Sequence, residues 1–406
     1  MTLRKLGFAC LAAGSLWLPV PCAQAQISDD IVKVGVLADM SGLYSDLSGI
    51  GSVVAARMAA EDFGGTVLGR KIEIVSADHQ NKPDIGSNIA REWIERQGVD
   101  AIADVPVSSI AFAVQQIAKD RNRVLLISSS GSSDLTGKSC SPTSVHWTYD
   151  TYALAQTAGK AMIEQGGDSW FFITADYNFG YALEADTTAF VKAAGGKALG
   201  SVRTPLNTPD FASALLQAQA SGAKVIGLAN TGTDLTNSVK QATEFGITAH
   251  GQKVAALLAT IAEVHALGLD LAQGLIFTDP FYWDRDDISR AFAKRFMERR
   301  NGRAPTSVQA GTYSAVTAYL KAVQVAGTDD ADKVRAQLMK ARFTDPLVHD
   351  GWIRSDQRLM KEMLLVQVKT PQESKYPWDY EKILSVIPAE QAWNPLSESA
   401  CPLAKK

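Results

Sequence analysis

The residues able to do chemistry in this chain are scattered, and their spacing excludes most catalytic designs. No two of the five histidines (His79, His146, His250, His265, His349) and four cysteines (Cys10, Cys22, Cys140, Cys401) stand at metal-ligand spacing. No metal site is therefore expected, and each histidine reads as a surface or hydrogen-bonded structural residue. Residues 131–139 (GSSDLTGKS) nearly spell a phosphate-binding loop. Five residues separate Gly131 from Gly137-Lys138-Ser139 where the cradle needs four, and Cys140-Ser141-Pro142 stands where a helix should start. Gly49-Ile50-Gly51 lacks the third glycine of a dinucleotide fingerprint. There is no G-x-S-x-G elbow and no H-E-x-x-H. Lys294, Arg295, Arg299 and Arg300 read as the solvated face of a helix. Neither an enzyme nor a cofactor is expected. Binding chemistry remains: hydroxyls, small residues and aromatics gathered at 40–45, 78–81, 106–109, 128–133, 176–179, 230–234 and 258–262.

An alternation of strands and helices places those loops. The β-branched run 31–37 (IVKVGVL) is a strand, followed by a helical pattern stopped at Gly64-Gly65. Strands follow at 71–75, 101–105 and 124–127, with helices ending at Gln97 and Lys119 between them. This β-α-β-α-β-α-β order predicts a parallel sheet covered on both faces by helices. Residues 128–142 form a polar break. A second series has strands at 170–174, 197–203, 224–228, 253–257 and 275–277, and helices at 152–164, 180–194, 211–219 and 233–245. After Pro280 come helices at 288–300, 307–325 and 332–341, then short strands at 352–353 and 363–368, read as antiparallel. Pro371, Pro377, Pro388, Pro395 and Pro402 mark a surface-hugging C-terminal extension.

Composition bounds the class. At 406 residues the chain has room for two or three domains at about 150 residues each. It is 46% hydrophobic and 20% charged, an ordinary globular balance. A formal charge of −3 offers none of the basic surplus of a nucleic-acid binder. Arg4 and Lys5, the uncharged run 6–18 and Ala23-Gln24-Ala25 match the three regions of a secretory signal peptide, cut before Gln26. Its removal leaves Cys140 and Cys401. An even count in an oxidising compartment predicts one disulfide, with two free thiols as the alternative. A loop of that length would stabilise by roughly 5 kcal/mol in the chain-entropy model.

Several segments in this order resemble the type I periplasmic binding proteins of ABC importers, in their leucine/isoleucine/valine-binding branch. They are IVKVGVLADMSGLYSDLSGIG (31–51), AARMAAEDFGG (55–65), IVSADHQNKPDIG (74–86), DVPVSS (104–109), VLLISSSGSSDLT (124–136), ITADYNFGYAL (173–183), GLANTGTDL (227–235) and DPFYWDRDD (279–287). The resemblance implies an α/β fold of two doubly wound parallel-sheet lobes joined by three crossovers. Lobe 1 would comprise 27–147 plus 281–345, lobe 2 would comprise 148–280 plus 346–390, and 391–406 would be the tail. It also implies a periplasmic solute receptor, working as a monomer and closing like a hinged clamp before delivering its ligand to a membrane permease. A sensor subunit on the same fold is the alternative.

Open α/β sheets bind ligands at the C-terminal ends of their strands, and two such sheets place the site in the cleft between them. The resemblance carries the carboxylate contacts onto Ser108, Ser109, Ser129 and Ser130. Each of these taken singly is equally an N-cap or turn residue. Phe179 falls where many relatives have tyrosine. Tyr44, Asn230, Asp234, Thr260 and Trp283 complete the candidates, with Phe281 and Tyr282 beside Trp283 at the second crossover. An amino-acid ligand needs an acidic partner for its ammonium. The 258–262 loop supplies none, Glu263 falls inside the next helix, and Asp234 is the remaining candidate. The expected ligand is a hydrophobic or aromatic carboxylate without an amine, with a branched-chain or aromatic amino acid as the alternative.

Overall fold

A computed structural model describes residues 27–404. The expected signal peptide, with Cys10 and Cys22, lies outside the described residues. The first sheet runs in the order Thr66–Val67, Arg70–Asp78, Ile31–Ala38, Ala101–Asp104, Val124–Ile127, Ser144–His146. Its neighbours are parallel except the two-residue Thr66–Val67 edge. Strand periodicity assigns the faces. Val32, Val34, Val36, Ala101, Ala103, Val124 and Leu126 pack on one side with the helices Gly49–Asp62 and Ser307–Ala326. Leu37, Ile102, Leu125 and Ile127 pack on the other with Pro83–Arg96 and Ser108–Asp120. Burial on both faces explains why these strands read as continuous apolar runs.

The second sheet is parallel throughout, in the order Lys253–Ala256, Val225–Ala229, Ser169–Ala175, Lys197–Thr204. Its faces alternate in the same way. Phe171, Ile173, Ile226 and Leu228 point to one cluster, while Trp170, Phe172, Val225 and Ala229 point to the other.

Three expectations need correction. The 275–277 run does not extend the second sheet. As Ile276–Asp279 it pairs antiparallel with Met363–Val368, which pairs antiparallel with Glu381–Ile387 in a separate three-stranded sheet. The proline-marked tail is therefore more than a surface extension. It contributes that third strand, and Trp393 is buried, donating from Nε1 to the Lys361 carbonyl at 2.7 Å. The Ser144–His146 strand went unread because three residues after a polar loop carry no periodic signal. Cys140 and Cys401 form a disulfide with Cα atoms 5.5 Å apart, fastening the tail beside this strand.

Candidate functional site

Both parallel sheets reverse their strand order beside their first strand, which marks the crevice where open sheets bind ligands. In the first sheet the reversal lies between Ile31–Ala38 and Ala101–Asp104. The loops beyond these strands carry Tyr44 and Leu47, then Pro106, Val107 and Ser108. In the second sheet it lies between Ser169–Ala175 and Val225–Ala229, whose loops carry Tyr177, Phe179 and Thr231. All eight residues line one narrow cavity, with about 10 Å³ open to the centre of a water-sized sphere.

Two contacts join the loops of the two sheets at the cavity. Tyr44 Oη and Tyr177 Oη are 2.8 Å apart, and Thr233 N donates to the Leu43 carbonyl at 3.4 Å. Gly232, at φ +65°, makes this approach possible, since a Cβ there would lie 2.5 Å from the Leu43 carbonyl oxygen. Burial raises the Tyr44 and Tyr177 phenol pKa values, so both are neutral donors at physiological pH.

The polar wall comes from the first sheet. Val107, at φ 75°, opens the helix Ser108–Asp120, which has no side-chain cap. Its first N–H groups and the positive end of its dipole favour an anion. Ser108 Oγ accepts from Ser132 N at 3.2 Å, and Ser130 Oγ donates to the Val105 carbonyl at 2.6 Å. Ser129 Oγ and Thr231 Oγ1 are buried in the lining and make no hydrogen bond within the protein. Tyr149 Oη donates to the Ser129 carbonyl at 2.7 Å, and His146 Nε2 lies 2.6 Å from the Ser130 carbonyl. Arg358, donor only, sits against His146 Nδ1. The ring proton is thereby assigned to Nε2, where it holds the Ser130 carbonyl. Burial and the Arg358 charge keep the His146 pKa well below its ordinary value. Arg358 also pairs with Asp150 at 2.8 Å and lies over the Trp393 ring, 4.5 Å from its centroid.

Beneath this wall lies Asp104, fully buried, at φ 79°. Its Oδ2 accepts from Ser48 Oγ at 2.6 Å and its Oδ1 is unpartnered. Burial pushes its pKa up to about 7, against the Ser48 hydroxyl that pulls it down.

Of the sequence candidates, the structure brings together Tyr44, Ser108, Ser129, Ser130 and Phe179 in the cavity lining. Ser109, Asn230, Asp234, Thr260 and Trp283 are not in it. Ser109 faces a surface recess beside Phe112 and Gln116. Asn230 Nδ2 donates to Ser238 Oγ at 3.2 Å. Thr260 caps the helix Ile261–Leu267 in a reciprocal box with Glu263, whose Oε1 also accepts from Gly232 N at 3.2 Å. Trp283 Nε1 donates to the Trp378 carbonyl at 2.8 Å, and its ring packs edge-on to Tyr376. Asp234 Oδ2 accepts from Asn207 N at 3.2 Å, Oδ1 is buried without a partner, and burial lifts its pKa to about 6. Sequence reading passed over Tyr149 and Tyr177. Tyr177 lies in the 176–179 loop, where the resemblance points to Phe179 instead. Tyr149 follows the unread strand.

A family model described as "Periplasmic binding protein" matches residues 31–375. The chain belongs to the periplasmic binding protein family. A Burkholderia mallei periplasmic binding protein of known structure is 50% identical, with TM-score 0.91, over 93% of this chain and all of that one. A branched chain amino acid ABC transporter periplasmic ligand-binding protein from Burkholderia xenovorans is 41% identical, with TM-score 0.82, over 92% of this chain and all of that one. A Rhodopseudomonas palustris ABC-transporter solute binding protein, solved with 3,4-dihydroxybenzoic acid, shares the fold at 21% identity and TM-score 0.79, over 89% and 98% of the two chains. The chain is thus an ABC-type substrate-binding protein and not an enzyme. For a periplasmic binding protein, the cavity is the place to seek the ligand.

Proposed function

We propose that this periplasmic binding protein captures a small hydrophobic or aromatic carboxylate without an amine and delivers it to an ABC permease in the inner membrane. In this reading it works in the periplasm as a monomer, after loss of residues 1–25. Two lobes, 27–147 plus 281–345 and 148–280 plus 346–390, close on the ligand about the crossovers. One observation carries the ligand class: the lining holds hydroxyls, a helix N-terminus, three tyrosines and a phenylalanine, and no Asp, Glu, Lys, Arg or His. Ser129 Oγ and the helix N–H groups suit a carboxylate, while the rings of Tyr44, Tyr149, Tyr177 and Phe179 suit a flat apolar body. A buried ammonium would lack a counter-ion, which is costly.

The unpartnered Asp234 Oδ1 is the one feature favouring a branched-chain or aromatic amino acid, because its charge acts on both Tyr44 and Tyr177. Calorimetry with phenylpropionate against phenylalanine separates the two. The proposal expects the amine-free acid to bind and Asp234→Asn to leave it bound. Tight binding of phenylalanine alone, abolished by Asp234→Asn, would reverse it.

A further inference from the structure

The basic run on the Asp287–Arg299 helix does not behave as one solvated face. Arg295 reaches Asp62 at 2.5 Å and Arg299 reaches Glu61 at 2.9 Å, both on the Gly49–Asp62 helix. Arg300, at the helix end, turns away from them. No carboxylate among the described residues pairs with it, and its Nε is buried without a hydrogen bond. It lines a pocket of about 90 Å³, separate from the tyrosine-lined cavity. Arg303 and its single counter-ion Asp46, 2.7 Å away, line it too. The opposite wall is the helix Ile261–Leu267, which presents His265 stacked on Trp378 at 4.0 Å between centroids. His265 Nδ1 is engaged by Tyr380 Oη at 3.0 Å, leaving Nε2 as the other polar atom of that ring. Two guanidinium groups thus share one carboxylate. Burial and the Arg303 charge lower the Arg300 pKa, as for a cation short of counter-charge.

We infer that the pocket between Arg300, Arg303 and His265 is a second, oxyanion-binding site, taking a small phosphate-like or carboxylate ion. The guanidinium fork of Arg300 has free donors in the geometry such an ion needs, and a partly buried guanidinium gains more from a charge-assisted pair than an exposed one does. An ion held there would tie the Ile261–Leu267 helix to the 296–304 segment.

The test is equilibrium dialysis of the full mature chain with radiolabelled inorganic phosphate. One saturable site per chain is expected, weakened at least tenfold by Arg300→Gln and by Arg303→Gln. Arg121→Gln, which removes an exposed pair with Glu95, should leave it unchanged. If Arg300→Gln fails to fold by circular dichroism, Arg303→Gln decides. The inference falls if wild type shows no saturable phosphate binding, or if both variants bind as wild type does. It also falls if Ser129→Ala abolishes phosphate binding, because the anion would then sit in the tyrosine-lined cavity. Failure of the amine-free ligand reading leaves this outcome unaffected, since phosphate alone is the probe.

Discussion

Asp104 is a buried group through which pH should act on this fold. Its carboxyl is fully buried, is held by one short bond from Ser48, and has its pKa raised from 3.8 to about 7. A carboxyl whose native pKa is raised keeps its proton in the folded state while the unfolded chain releases it. The folded state then binds more protons, so stability falls as pH rises from about 4 to about 7 and is level above that. Between pH 5.5 and pH 8 the lost part spans about 1.5 pKa units, or about 2 kcal/mol at 1.36 kcal/mol per unit. Asp104→Asn keeps the shape, and asparagine tolerates the positive φ of 79° at this position. Urea unfolding of wild type and variant at both pH values isolates the effect, because titrations elsewhere cancel in the double difference. The variant should gain about 2 kcal/mol relative to wild type on going from pH 5.5 to 8. A relative change below about 0.5 kcal/mol would refute the burial argument, since it would mean Asp104 titrates near its ordinary value.

Two further outcomes follow from the same wall. Gly131→Ala puts a Cβ 2.8 Å from the Tyr149 ring and 2.9 Å from the Phe179 ring. Both rings must shift, so the variant should lose about 1–3 kcal/mol by denaturant titration and at least tenfold in the affinity that calorimetry finds for wild type. Arg358→Met leaves Asp150 buried without its cation and should cost about 3–5 kcal/mol. It should also raise the His146 pKa, measured by NMR, because the guanidinium charge holding it down is gone.

Local signals in the chain specify the alternation of strands and helices, the two parallel sheets and the loops that carry the cavity. These are local matters: β-branched runs buried on both faces, helix stops at glycine pairs, and hydroxyl-rich turns at strand ends. They also pair Cys140 with Cys401, because an expected signal peptide, once removed, would leave two cysteines. Tertiary structure alone decided which loop residues meet. Tyr177 faces Tyr44 because the two switch points oppose each other, a relation between residues 133 positions apart. Thr260 and Glu263 spend their polar atoms on a helix cap, and Trp283 on the Trp378 carbonyl, so neither Thr260 nor Trp283 enters the lining. The third sheet shows the same limit. The Glu381–Ile387 strand reads as a proline-flanked tail until Met363–Val368 supplies its hydrogen-bonding edge. Periodicity records whether a segment has a buried face; which surface covers that face is fixed by chain segments far away in sequence.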